Sequence, residues 1–95
     1  MRFDWDPDKE KANREKHGIS FGEATELFSS GVDYLEIYDE DHSQEEDRFI
    51  AIGPVRGRIV LVVCADWPED TIRVISARPA TRREIKLYRE SMKGD

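Results

Sequence analysis

With 95 residues, of which 38% are apolar and 38% charged, the chain has material for one small core, so a single domain over 1–95 is expected. Its longest apolar run, Ile59 to Ala65, falls short of the ~18 residues a membrane span needs, and Met1-Arg2-Phe3-Asp4 lacks a hydrophobic signal region, which together point to a cytoplasmic protein. The net charge of -6 excludes a uniformly basic nucleic-acid binder, but it is unevenly spread: residues 1–47 carry 5 Lys and Arg against 15 Asp and Glu, residues 48–95 carry 10 against 6.

Phe3 to Trp5 reads as a short strand. Asp6 then caps a helix with Pro7 at its first position, where a missing N–H costs nothing, and Gly18 ends it with Lys16 and His17 in the last turn. Apart from Ala12 this helix has no apolar stripe. Lys9, Asn13, Lys16 and His17 recur along one polar face instead, so something polar must order it. Ser20-x-x-Glu23 is a capping box opening a second helix, Phe21, Ala24, Leu27 and Phe28 form its apolar stripe, and Ser29-Ser30-Gly31 stops it.

Asp33 to Tyr38 reads as a strand, followed by an acidic loop, Asp39 to Asp47. Two stronger strands, Arg48 to Val55 and Arg58 to Ala65, are joined by the two-residue turn Arg56-Gly57, and the second is apolar on both faces, as a central strand should be. Trp67-Pro68-Glu69-Asp70 turns the chain into a last strand, Thr71 to Arg78. Thr81-x-x-Glu84 caps a final helix with Ile85, Tyr88 and Met92 on one face. The expected fold class is α+β: a short strand, two helices, a four-stranded antiparallel meander and a C-terminal helix. The helices should cover one sheet face and leave the other as a cleft.

Trp5-Asp6-Pro7, Asn13, Lys16-His17-Gly18 with Phe21, His42-Ser43 ahead of Glu46 and Arg48, Ile52-Gly53, Gly57-Arg58, and Arg73-x-Ile75-Ser76-Ala77-Arg78 with Arg83-Glu84 and Tyr88 follow one another in a distinctive order. In this the chain resembles the BrnT family of type II toxins, from Phe3 to Tyr88. Ser30-Gly31-Val32 departs from the Asp-Pro that many members have after the second helix. The resemblance implies a RelE-like ribonuclease toxin that cuts RNA without a metal and inhibits translation. It implies a ribbon-helix-helix antitoxin of the BrnA type as partner, two toxins with two antitoxins being the natural assembly of a dimeric antitoxin. Operator DNA would then be met only through the antitoxin, and the acidic half offers a surface to a basic partner.

Metal-independent cleavage uses the ribose 2′-hydroxyl as nucleophile. The protein must take its proton, stabilise the phosphorane and protonate the leaving 5′-oxygen. Arginine suits the second task, because its planar fork holds phosphate oxygens and stays charged. Arg48 begins one strand and Arg78 ends another that runs parallel to it, so the two are expected toward opposite ends of the sheet. Arg73 and Arg78, five positions apart, should point to opposite faces of a regular strand, and Arg78 is favoured because it lies beside the N-terminus of the last helix. Arg82 and Arg83 oppose the helix dipole there, which fits either a bound phosphate or simple solvation.

His17 is the obvious general acid or base, or a cap on helix carbonyls; Tyr88 can donate to the leaving oxygen or belong to the core; Glu84 is the capping-box carboxylate first and a base second. The candidate catalytic set is therefore Arg78, His17, Arg48 and Tyr88, with Lys16, Arg73, Arg82, Arg83, Lys9 and Asn13 as RNA contacts. His42 reads as a solvated loop residue. Cys64, the sole cysteine, reads as a buried thiol without disulfide or metal role. Asp39-x-Asp41-x-Ser43 fails as a calcium loop, since Gln44 and Ile50 stand at its sixth and twelfth positions, and no metal site or cofactor is expected. The competing reading is a non-catalytic module of the same fold that only tunes a DNA-binding antitoxin.

Overall fold

The computed structural model describes residues 1–42 and 46–93. Its elements are β1 (Arg2–Asp4), α1 (Pro7–His17), α2 (Phe21–Ser29), β2 (Leu35–Tyr38), β3 (Arg48–Val55), β4 (Arg58–Trp67), β5 (Thr71–Pro79) and α3 (Arg82–Lys93), with a 3-10 turn at Glu40–His42. Ser43 and Gln44 of the acidic loop lie outside the described residues.

Strands β2 to β5 form the expected antiparallel meander, and β1 joins it as a fifth strand in the order β1-β5-β4-β3-β2. That addition is parallel, pairing Arg2 with Thr71 and Asp4 with Arg73. At the β3–β4 hairpin Arg56 (φ 51) and Gly57 (φ 83) both adopt left-handed backbone, the geometry whose twist matches that of the flanking strands. Arg56 tolerates it while donating two hydrogen bonds to Glu26, at 3.1 and 2.7 Å.

Local signals explain the helix ends. The Asp6 carboxylate accepts from the N–H groups of Asp8 and Lys9, and Gly18, at φ 71, closes α1 by donating its N–H to the Arg14 carbonyl at 2.8 Å. Ser20 Oγ accepts from the Glu23 N–H to start α2.

What orders the polar α1 is Asn13. It is 8% exposed, donates through Nδ2 to the carbonyls of Ile19 (3.0 Å) and Ala77 (2.8 Å), and accepts from the Ala77 N–H (3.1 Å). Strand β1 pairs β5 only over Thr71 to Arg73, so Asn13 satisfies backbone groups higher up the same edge. Its expected role as an RNA contact is corrected: the side chain is buried and both Nδ2 protons are spent inside the protein, leaving no donor for a phosphate.

Helices α1 and α2 cover one sheet face over Phe21, Ala24, Leu27, Phe49, Ala51, Val60, Val62, Cys64, Val74 and Ala77. Phe28 ties Phe3, Tyr34 and Phe49 together, with the last two rings edge-on to it. Burial pushes the Cys64 thiol far above its ordinary range, so it remains protonated.

The alternating residues of the sheet need their own cover. Leu35, Ile37, Ile50, Ile52 and Leu61 share the opposite face by register, and α3 packs there against β3 and β2. Helices therefore lie on both faces, correcting the expectation of one covered and one open face. The cover is partial, leaving Ile37 and Leu87 exposed together with Trp67 at the lower end of β4.

Candidate functional site

The decisive irregularity is in β5. Val63 pairs with Ser76 and Cys64 with Val74, leaving Ile75 unpaired as a bulge. Beyond it the alternation of side chains is reset. Arg73 pairs with Ala65 and Arg78 with Leu61, and those two β4 residues are an even number apart, so both arginines project from the α3 face. The expectation that they point opposite ways is corrected.

Two clusters occupy this face. At the upper end Arg78 donates from both terminal nitrogens to Glu84, at 2.8 Å each, and also reaches the Pro79 carbonyl. Glu84 serves two duties, because it also accepts from the Thr81 N–H at 2.8 Å while Thr81 Oγ1 accepts from the Glu84 N–H, completing the capping box. The Arg78 guanidinium first, then the Thr81 backbone, hold the Glu84 carboxyl down at about 2. A carboxylate so stabilised is a poor proton acceptor, so Glu84 acts by positioning Arg78. Tyr88, half-buried, lies one turn beyond Glu84 on the same side of α3.

His17, also half-buried, is at this same end of the molecule but beside the other face. It lies one turn above the Asn13 contact with Ala77, and the neighbouring Gly18 carbonyl meets Arg58 at 3.5 Å. Lys9 and Lys16 are exposed on α1.

At the lower end Arg48 and Arg73 flank Ala65 from its two sides. Arg48 donates from Nε to Glu46, while Arg73 pairs with Asp4 and lies 4.6 Å over the Trp67 ring. Arg48 therefore stands roughly 16 Å from Arg78, taking four strand rises and two strand spacings. The opposite-ends expectation holds, and Arg48 groups with Arg73 rather than with the Arg78 cluster.

Along α3, Arg82, Lys86, Arg89 and Lys93 line an open groove of about 490 Å³ with Ile85 and Glu90. Arg83 is exposed beside it. Lys86, Arg89 and Lys93 were legible as an i, i+3, i+7 continuation of Arg82 but escaped a reading fixed on the first turn. Trp67 and Glu46 escaped as well, since only the fold brings a hairpin residue and the end of the acidic loop together.

Residues 5–84 match the family model described as the ribonuclease toxin BrnT of type II toxin-antitoxin systems. The chain belongs to this family. The solved structure of the Brucella abortus ribonuclease toxin BrnT is similar, with a TM-score of 0.64 and 26% identity over 86% of this chain and 99% of that one. No curated protein matches significantly. As a member of a ribonuclease toxin family of type II toxin-antitoxin systems, the chain has an antitoxin as its counterpart. The chain itself is α+β with a five-stranded sheet and three helices, a fold similar to that structure. Among the described residues, no helix is long and apolar enough to cross a membrane.

Proposed function

We propose that this BrnT-family toxin is a single-domain cytoplasmic endoribonuclease that cleaves RNA without a metal, in the manner of a RelE-like toxin. The observation that carries this reading is the Arg78–Glu84 pair at the start of α3. Two parallel hydrogen bonds fix the guanidinium plane before any substrate arrives, and the remaining N–H donors are left for phosphate oxygens. The unpaired N–H groups of the first helical turn attract the same anion.

In this mechanism Arg78 stabilises the charge developing on the phosphorane. Tyr88, beside Glu84 on the α3 face, handles a proton of the 2′-hydroxyl or of the leaving oxygen, while His17, beside the other face at this end, extends the site around the end of the sheet. Arg82, Arg83, Lys86, Arg89 and Lys93 hold the backbone along α3, Arg73 and Arg48 hold it lower on the sheet, and Lys9 and Lys16 extend the cationic rim. The antitoxin is a ribbon-helix-helix protein of the BrnA type in a two-to-two complex, and operator DNA is contacted through it. Asp33, Glu36, Asp39, Glu40 and Asp41 around the edge strand β2 suit a basic partner.

The test is incubation of partner-free protein with a defined RNA in EDTA beside its Arg78→Ala variant, with products resolved on a sequencing gel. Cleavage by the wild type that collapses at least a hundredfold in the variant is expected. Intact RNA in both lanes, with both proteins folded, would sink this reading.

A further inference from the structure

Trp67 is an aromatic residue that the core does not use. It ends β4, is 38% exposed, and projects from the α3 face because it lies two positions beyond Ala65. A surface indole is ordinarily free to turn, but this one is pinned on two sides. Its Nε1 donates to Glu46 Oε2 at 2.9 Å, and the Arg73 guanidinium covers one ring face at 4.6 Å. Glu46 is itself held ionised by the indole N–H and then by Arg48. Asp4 pairs with Arg73 on its other side. Four side chains from β1, β5, β3 and the loop before it thus fix one exposed aromatic plane.

Such an arrangement spends the indole's only hydrogen-bond donor inside the protein, leaving π-surface to offer. Every nucleobase has a matching face, so stacking of this kind binds single strands without reading sequence. The two flanking arginines supply charge for the adjoining phosphates. Trp67 lies six residues beyond Leu61 on β4, so this plane lies roughly 20 Å along the sheet from the Arg78 row, within reach of one RNA strand a few nucleotides long.

We propose that Trp67 is a base-stacking platform that seats a nucleobase of single-stranded RNA a few nucleotides from the phosphate held at Arg78. Glu46 and Arg73 are its positioning residues. The distance along the strand rests on Arg78 marking the cleaved phosphate, but the stacking does not depend on cleavage and is tested without it.

The probe is a short mixed-sequence single strand with 2′-O-methyl sugars, which lacks the nucleophile and cannot be cut by 2′-hydroxyl attack. It is titrated into protein carrying Trp5→Phe, so that Trp67 is the sole indole. Quenching of that indole is expected, with the same dissociation constant that fluorescence anisotropy gives. Trp67→Ala and Trp67→Leu should each weaken binding about tenfold or more, while Trp67→Phe stays within about threefold of the parent. Leucine keeps an apolar contact for the Arg73 stem, so matched losses in the two variants exclude simple unfolding of the hairpin tip. Unchanged affinity in both, or no quenching at saturation, would overturn the proposal, as would an indole that ignores RNA but shifts on adding the antitoxin. If Trp67 stacks the probe while natural RNA stays uncut, the platform stands and the nuclease reading of Arg78 fails.

Discussion

Arg73 and Arg78 are five residues apart on β5 and yet share a face, because Ile75 is bulged out of register between Val74 and Ser76. An odd separation should have placed them on opposite sides of the sheet. The extra residue converts two unrelated arginines into the two ends of one cationic surface, with Trp67 at one end and the α3 N-terminus at the other.

Deleting Ile75 should therefore be tolerated. Val74 and Ser76 already face Cys64 and Val63, so the shortened strand stays in register and keeps Arg78 over Leu61. Deleting Val63 from the central strand instead turns its apolar residues to the wrong faces and should abolish folding. Circular dichroism melts distinguish them: a cooperative transition is expected for the first deletion and none for the second.

Glu84 should make stability depend on acid. Its carboxyl is ordinarily near 4.5 and lies at about 2 in the folded chain, so the unfolded state binds the proton more readily between those values. The stabilisation is complete above about pH 5 and is lost as pH falls toward 2. Glu84→Gln should cost about 1–2 kcal/mol at pH 7, once solvent screening of Arg78 is allowed for. The gap between variant and wild type should close progressively in urea melts from pH 5 to pH 2. A constant gap would show that the ion pair contributes nothing.

Asn13→Ala should cost about 2–4 kcal/mol, because it strands the buried Ala77 N–H and the carbonyls of Ile19 and Ala77 at once. Asn13→Asp should be no better, since a carboxylate would face two carbonyl oxygens. Denaturant midpoints with an unchanged slope report this directly.

Gly53 illustrates a constraint of space rather than of backbone angle. A methyl group there would lie 2.6 Å from Leu27 Cδ1 and 2.8 Å from Tyr34 Cβ. Leu27 can rotate aside, but Tyr34 Cβ moves only with the backbone. Gly53→Ala should cost about 1–3 kcal/mol by overpacking and lower the melting temperature several degrees.

The α3 groove should reveal itself through salt. Replacing Lys86 and Arg89 with Gln removes two candidate phosphate contacts, and the slope of log affinity against log salt should become shallower by about 0.7 for each. Anisotropy titrations from 50 to 200 mM salt measure it. An unchanged slope would remove α3 from the RNA path.

Much of the scaffold is local and was readable. Asp6, Pro7 and Gly18 bound α1; Ser20 with Glu23 and Thr81 with Glu84 cap α2 and α3; Arg56-Gly57 closes the hairpin it was expected to close. Each signal acts over three or four residues, within the range where a side chain meets its own backbone. Strand ends were less clear: β4 runs on to Trp67 and β5 to Pro79, since a strand continues as long as its neighbour offers partners.

The order of motifs along the chain was enough to identify the family, and the amino-acid sequence by itself determined the elements, their caps and the split between acidic and basic halves. Tertiary structure decided the rest, because it depends on pairing between distant segments. β1 lies parallel to β5, Asn13 belongs to the sheet edge, α3 takes the second face, and a bulge unites Arg73 with Arg78. Helical and strand periods are properties of one segment, whereas register is shared by two, and the face on which a functional side chain appears is set by register.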